Sequence, residues 1–285
     1  MREKVRTIHI ILFIVTFYCV TVMGVFFHPD YGDYDVSLML TSPKVLLKGL
    51  PFSISLLFII GIHEIGHLIG ARKNGIVATM PYFLPGPPFI TLGTFGAFIK
   101  VKSPIGDRRS LMDMASYGPI FGFLGCILTM YYGIFLHFNG YQNPFDFGVN
   151  VRLPLIMALA QYPIVGGLKS QTIFFENPFL ASAFIGFFIQ GLNLLFVGQL
   201  DGGHILYALF PKAHKTIGTI ITIFLLLLSP FGLQFFVWAI IFFLLGIKHP
   251  PTLNDYVPLT KKEILLGIAC LLIFVFSFHP LPFVD

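Results

Sequence analysis

Two imidazoles four residues apart, with a carboxylate beside the first, interrupt an apolar stretch: Gly61-Ile62-His63-Glu64-Ile65-Gly66-His67-Leu68. On a helix, positions i and i+4 share a face, so His63 and His67 can close on one cation at the bond length of about 2.0–2.1 Å that Zn²⁺ prefers. Glu64 then stands where a hydrolase places its general base. Burying ionisable groups at bilayer depth costs at least about 2.5–3.5 kcal/mol each, so such a cluster calls for an interior role. The structural alternative is a hydrogen-bonded His/Glu cluster that only holds helices together.

A structural zinc site is closed by four protein ligands, whereas a hydrolytic one uses three and leaves a position open for water. The chain must therefore supply a third ligand from another helix. Asp201, in Gly198-Gln199-Leu200-Asp201-Gly202-Gly203-His204, is the acidic residue of a later apolar run. The glycine pair after it lets backbone approach closely. Taken alone, Asp-Gly-Gly reads equally as a helix-ending turn. Paired with His63 and His67, it is the complementary ligand. Nearby polar residues are weaker candidates. His204 reads as either a support to the site or an interfacial histidine, His249 as a span-end histidine, and Gln190 and Gln199 as interhelical hydrogen-bonding groups.

These residues sit in a chain that cannot have an ordinary water-soluble surface. Of its 285 residues, 56% are hydrophobic and 11% charged, against about 25% charged in soluble domains. Apolar runs recur near 8–27, 46–71, 111–137, 178–210, 216–229, 231–247 and 263–278, many long enough for a hydrocarbon core of about 30 Å. The run at 153–167 is short and interrupted by Pro154 and Pro163, and reads as interfacial. The predicted fold is an all-α polytopic membrane protein with about six to seven transmembrane helices. The Gly/Pro-rich stretch 81–102 is a poor helix and reads as a small re-entrant β-hairpin. No repeat divides the chain, so 1–285 reads as one membrane-embedded domain, with its catalytic core near 46–210 and extra spans near 216–279.

The net charge of +5 does not indicate nucleic-acid binding, because the basic residues flank the apolar runs in short clusters. With the N-terminus in the cytoplasm and each span crossing once, Lys44, Lys48, Arg152 and Lys169 alone fall on the far side, and the other 14 of the 18 basic residues face the cytoplasm. That asymmetry predicts the orientation and brings the His63–His67 and Asp201 segments to the same, cytoplasmic-side depth. The basic start followed by 8–27 reads as a retained first span, its apolar core being longer than that of a signal peptide. Cys19, Cys126 and Cys270 lie inside apolar runs at spacings that suggest no metal knuckle or disulfide framework.

With His-Glu-x-x-His in one span and Asn193 followed by Leu200-Asp201-Gly202 in a later one, the chain resembles the site-2 protease family of intramembrane zinc metalloproteases. GTFGAFIKVKSP, SYGPIFGF and KHPPTLND are similar to one prokaryotic and chloroplast branch of that family. The resemblance implies one Zn²⁺ per chain held by His63, His67 and Asp201, with Glu64 and Asn193 catalytic. Asn193 would hold the scissile carbonyl or the oxyanion. Gly93, Thr94, Phe95 and Gly96 would form a strand edge that binds unwound substrate, or else a hairpin that merely plugs the bundle. It also implies membrane-protein helices as substrates and a prokaryotic cell membrane as location, while the charge asymmetry puts the active site on the cytoplasmic side. The family usually has proline three residues after the asparagine, where this chain has Phe196. A serine enzyme would need a Gly-x-Ser-Gly nucleophile, and a paired-aspartate enzyme would not put Asp35 and Asp107 in loops. The rival reading is a membrane metal transporter or an inactive scaffold, against which stand the retained Glu64 and the single depth of the polar groups.

Overall fold

The computed structural model describes residues 5–140, 150–165, 177–279 and 283–284. Part of the polar loop expected before Arg152, along with Lys169 and residues 166–167, lies outside them. The chain forms α1 (Thr7–Gly24), a short α2 (Val36–Thr41) and the long α3 (Pro43–Lys73). Strands β1 (Tyr82–Pro85) and β2 (Thr94–Phe98) follow, then α4 (Arg108–Phe138), β3 (Asn150–Val151) and α5 (Leu155–Val165). The rest comprises α6 (Pro178–Asn193), α7 (Asp201–Leu209), α8 (His214–Leu227), α9 (Leu233–Leu245), α10 (Lys261–Ser277) and β4 (Phe283–Val284), which pairs with β3.

Among the described residues, three stretches are long and apolar enough to cross a membrane: Thr7–Phe27, Pro43–Lys73 and Arg108–Phe138. The helices Pro178–Asn193, His214–Leu227 and Phe235–Leu244 are apolar but shorter. Sixteen residues of helix span about 24 Å, less than a typical hydrocarbon core. Among the described residues, helix length alone therefore accounts for three spans and does not confirm the count of six to seven. The run 178–210 is not one helix: it breaks after Asn193 and restarts at Asp201. The runs 216–229 and 231–247 form a helical hairpin, α8 against α9, turned by a 3₁₀ segment at Ser229–Phe231.

Helices α3 and α4 form the largest interface, and α6, α7 and α10 pack around them. The crossing of α3 and α4 depends on small residues. A Cβ on Gly66 would overlap the Tyr117 carbonyl, and one on Gly70 would press on Asp113 backbone. Close backbone approach through glycine is how helices associate where lipid removes the hydrophobic drive. Phe52, Leu56, Ile59, Met130, Leu180 and Phe187 fill one core on that interface, while Leu111, Met112, Leu194, Ile205 and Ala208 fill another. The outward faces are equally apolar. On α4, Leu124, Leu128, Tyr131 and Phe135 are each at least half exposed at helical spacing, an apolar stripe suited to lipid rather than to water.

The hairpin β1–β2 is antiparallel, pairing Tyr82 with Phe98 and Phe83 with Ala97. It lies along α1: the Tyr82 ring sits 4.3 Å from His9, Phe83 5.1 Å from Phe13 and Phe89 5.7 Å from Phe26. From His9 to Phe26 is about 25 Å of helix, so the hairpin runs alongside most of this candidate span, which covers it on one side. Gly93 makes this possible, since its φ of 81° favours glycine and a Cβ there would strike the Cys19 carbonyl.

A charged knot closes the bundle where α3 ends and α4 and α10 begin. Asp113, buried on α4, receives Lys262 at 2.5 Å, Lys73 at 3.3 Å and the Asn74 amide at 3.3 Å, tying α3, α4 and α10 together. Both lysines are nearly half exposed, so water screens part of the attraction. Asp113→Ala is expected to cost about 1–2 kcal/mol, read as earlier thermal inactivation in detergent micelles.

Candidate metal centre

His63 and His67 lie in the last third of α3, and both point at α7. Their Nε2 atoms are 2.9 Å apart. Asp201 presents one oxygen to each ring, Oδ2 at 3.2 Å from His63 Nε2 and Oδ1 at 3.3 Å from His67 Nε2. One donor atom from each of the three lies within 4.8 Å of the others. The structure therefore brings together the three residues that sequence spacing selected.

The break in the α6–α7 segment positions the aspartate. Helix α6 ends at Asn193, and the chain turns through Leu194–Leu200 with Gly198 at a φ of 59°. Asp201 then opens α7, where a carboxylate is favoured by the positive end of the helix dipole. Gly202 and Gly203 are required at this point, because a Cβ on either would overlap the Leu194 or Gly198 carbonyl. Phe196, in place of the family proline, packs its ring 5.6 Å from Phe274 of α10. Gly198 makes the bend, and Phe196 anchors it.

The far nitrogens of both histidines are committed. His67 Nδ1 lies 2.8 Å from the Met114 carbonyl, and His63 Nδ1 3.1 Å from Gln190 Oε1. Those oxygens only accept, so each Nδ1 carries the proton and each Nε2 turns a lone pair inward. Two nitrogen lone pairs and a carboxylate thus converge in a buried pocket, an arrangement that repels itself without a cation. Donors on a tetrahedral Zn²⁺ at its usual bond lengths sit about 3.3 Å apart, close to the separations seen. The residues fit that metal. Glycines on α4 leave the rings their space, since a Cβ on Gly118 would overlap the tip of His67 and one on Gly122 the Gln190 amide.

Glu64 is buried beside this cluster, with Oε1 4.0 Å from His63 Nε2, and lines the same cavity as Ile99. A cavity of about 270 Å³ joins His63, Glu64, His67, Asn193, Asp201 and His204 to the strand residues Ala97 and Phe98. Asn193 closes it from the end of α6. Of the proposed binding strand, Phe95 and Gly96 border a smaller adjoining cavity. Gly93 faces α1, and Thr94 is buried with its hydroxyl on the Leu84 carbonyl, so these two shape the hairpin.

Two contributors were not selected from sequence. Gln190 orients His63, a role indistinguishable in sequence from general interhelical bonding. His249, in the loop before α10, accepts at Nε2 from His204 Nδ1 at 2.6 Å, its own Nδ1 donating to the Pro250 carbonyl. The His249 ring stacks 4.3 Å from Tyr207. Nothing local in KHPP reports those contacts, which depend on how the loop folds back over α7.

Residues 51–229 match peptidase family M50. The chain is 32% identical over 244 residues to the "probable zinc metalloprotease EGY2, chloroplastic" of Arabidopsis thaliana, covering 84% of this chain and 43% of that protein. The protein of the same name from Oryza sativa subsp. indica is 30% identical over 239 residues (80% of this chain, 43% of the relative). "Probable zinc metalloprotease EGY1, chloroplastic" of Arabidopsis thaliana is 30% identical over 237 residues (79% of this chain, 42% of the relative). The chain thus spans less than half the length of these relatives. No solved structure matches it.

Two measurements test the centre. Gln190→Leu should weaken metal affinity about 10–100-fold by freeing the His63 ring, read by competition with a chromophoric chelator. Burial pushes His249 from its ordinary value of 6.5 down to about 4. The folded chain resists protonation there, so stability is full above pH 6.5 and declines as pH falls towards 4. His249→Gln should shrink the difference in thermal stability between pH 7 and pH 5. The match over more than half the chain, together with the His-Glu-x-x-His helix facing Asp201, places the protein in peptidase family M50, the site-2 protease family.

Proposed function

We propose that the chain is an intramembrane zinc metalloprotease that hydrolyses peptide bonds within or near transmembrane segments of other membrane proteins. The observation that carries this reading is the convergence of His63, His67 and Asp201 beside a buried Glu64, on a long apolar helix and a hairpin-walled cavity. The relatives' printed descriptions as zinc metalloproteases support the choice of metal. One Zn²⁺ per chain would be held by the three residues and would supply Lewis acidity toward a water and the scissile carbonyl.

The chain's own groups do the rest. Glu64 takes the proton of the attacking water and passes it to the leaving amine. Asn193, across the cavity, donates its amide to the carbonyl oxygen as negative charge grows there. A helical substrate hides its peptide groups in i→i−4 bonds and must unwind first. Strand β2 pairs with β1 on one side, and its other edge, from Phe95 to Ala97, borders the cavity, where an extended peptide can replace the lost bonds.

The excess of basic residues at one set of span ends supports a membrane orientation with the N-terminus and the metal centre toward the positively flanked side. The three relatives are chloroplastic by name and lend no support to a prokaryotic cell membrane. The retained Glu64 and the family match argue against a transporter or inactive scaffold.

Purified protein in detergent or liposomes should cleave a single-span substrate and lose that activity on chelation. Glu64→Gln should keep about one equivalent of zinc and lose cleavage, whereas Asn193→Ala should lower kcat about 10²–10³-fold. Equal cleavage by Glu64→Gln and the unmodified protein would sink the mechanism.

A further inference from the structure

Adjoining the metal-side cavity is a second, smaller one of about 100 Å³. Ile59 and Ile60, one turn before His63 on α3, form its floor. Ile189 of α6 makes one wall, and Phe95 and Ala97 of β2 make the other. The two cavities share His63, Glu64, Ala97 and Asn193. An apolar recess therefore opens directly beside the groups proposed to act on the scissile carbonyl.

The position suits one occupant. An extended peptide lying on the free edge of β2 alternates its side chains, so a residue with its carbonyl between Glu64 and Asn193 turns its side chain, or its neighbour's, into the recess. The lining is apolar apart from Gln190, whose amide oxygen is taken up by His63, and the shared polar groups, so it offers a charged side chain no partner of its own. A cavity of about 150 Å³ is enough for benzene. One of about 100 Å³ therefore takes an aliphatic side chain no larger than leucine and rejects Phe, Tyr and Trp.

We propose that this recess is a specificity pocket for the residue flanking the scissile bond, selecting a small or medium aliphatic side chain, with Ile189 setting its depth. The inference rests on the proteolytic reading above. Ile189 suits a test because it is only partly buried, so truncation does not hollow out the core. One methylene too many in such a pocket changes kcat/KM about 10–200-fold.

Single-span substrates with Ala, Leu or Phe on either side of the cut are incubated with the zinc-loaded full chain, and cleavage positions are read by mass spectrometry. The unmodified protein should favour Leu or Ala over Phe at one flanking position. Ile189→Ala should raise the Phe-to-Leu ratio of kcat/KM at that position at least tenfold. Ile189→Phe should shift preference to Ala. As a readout without turnover, Ile189→Cys combined with Glu64→Gln and Cys19→Ser should form a disulfide with a cysteine at the flanking position, and not with one three residues away.

Cleavage with unaltered preferences in both Ile189 variants, or crosslinking blind to position, overturns the pocket and leaves the protease intact. No cleavage by the unmodified protein, with zinc bound, overturns the proteolytic reading and the pocket with it.

Discussion

Two imidazole lone pairs and a carboxylate aimed at one point inside an apolar bundle are the constraint around which the rest of this structure is arranged. No such set assembles unless other groups force each donor inward. The Met114 carbonyl and Gln190 fix the outer nitrogens, and α4 gives up side chains at Gly118 and Gly122 so that the rings have room. Packing and polarity are thus the same problem at this crossing. The glycines that let α3 and α4 approach also set how deeply the histidines sit.

The second demand is that one carboxylate come from a distant stretch of chain. A straight helix through 178–210 would carry Asp201 past the histidines. The break after Asn193 turns the aspartate into the first residue of a new helix and leaves Asn193 at the end of the old one, so a single discontinuity delivers both residues to one cavity. The charged knot at Asp113 holds α3, α4 and α10 at the same end, which keeps the crossing from sliding.

Much of this was legible in the sequence, because i, i+4 spacing on a helix is a local rule. His63, Glu64 and His67 declare their shared region without any knowledge of the fold, and the need for a third donor points to Asp201. The Gly/Pro punctuation of 81–102 likewise announces a hairpin rather than a helix. Hydropathy failed where it averages over a break: it cannot see that 178–210 contains two helices, since Leu194, Leu195 and Val197 stay apolar while leaving helical geometry. It also counts apolar length rather than helix length, so the two measures need not give the same number of spans. Gln190 and His249 were unreadable for another reason, as their partners are set by tertiary contacts between remote segments.

The unwound stretch Leu194–Leu200 has a further effect on the medium around the site. Seven residues outside a regular helix carry peptide groups that hydrocarbon cannot solvate, and non-helical backbone persists at such depth only against protein or water. Part of the need is met internally, as where the Gly198 carbonyl accepts from His214, but Gln199 stands exposed on the cavity wall. The break therefore favours a hydrated crevice next to Asp201. A reaction that consumes water in a greasy interior would then draw it from the same discontinuity that brings in the aspartate, with no separate channel required.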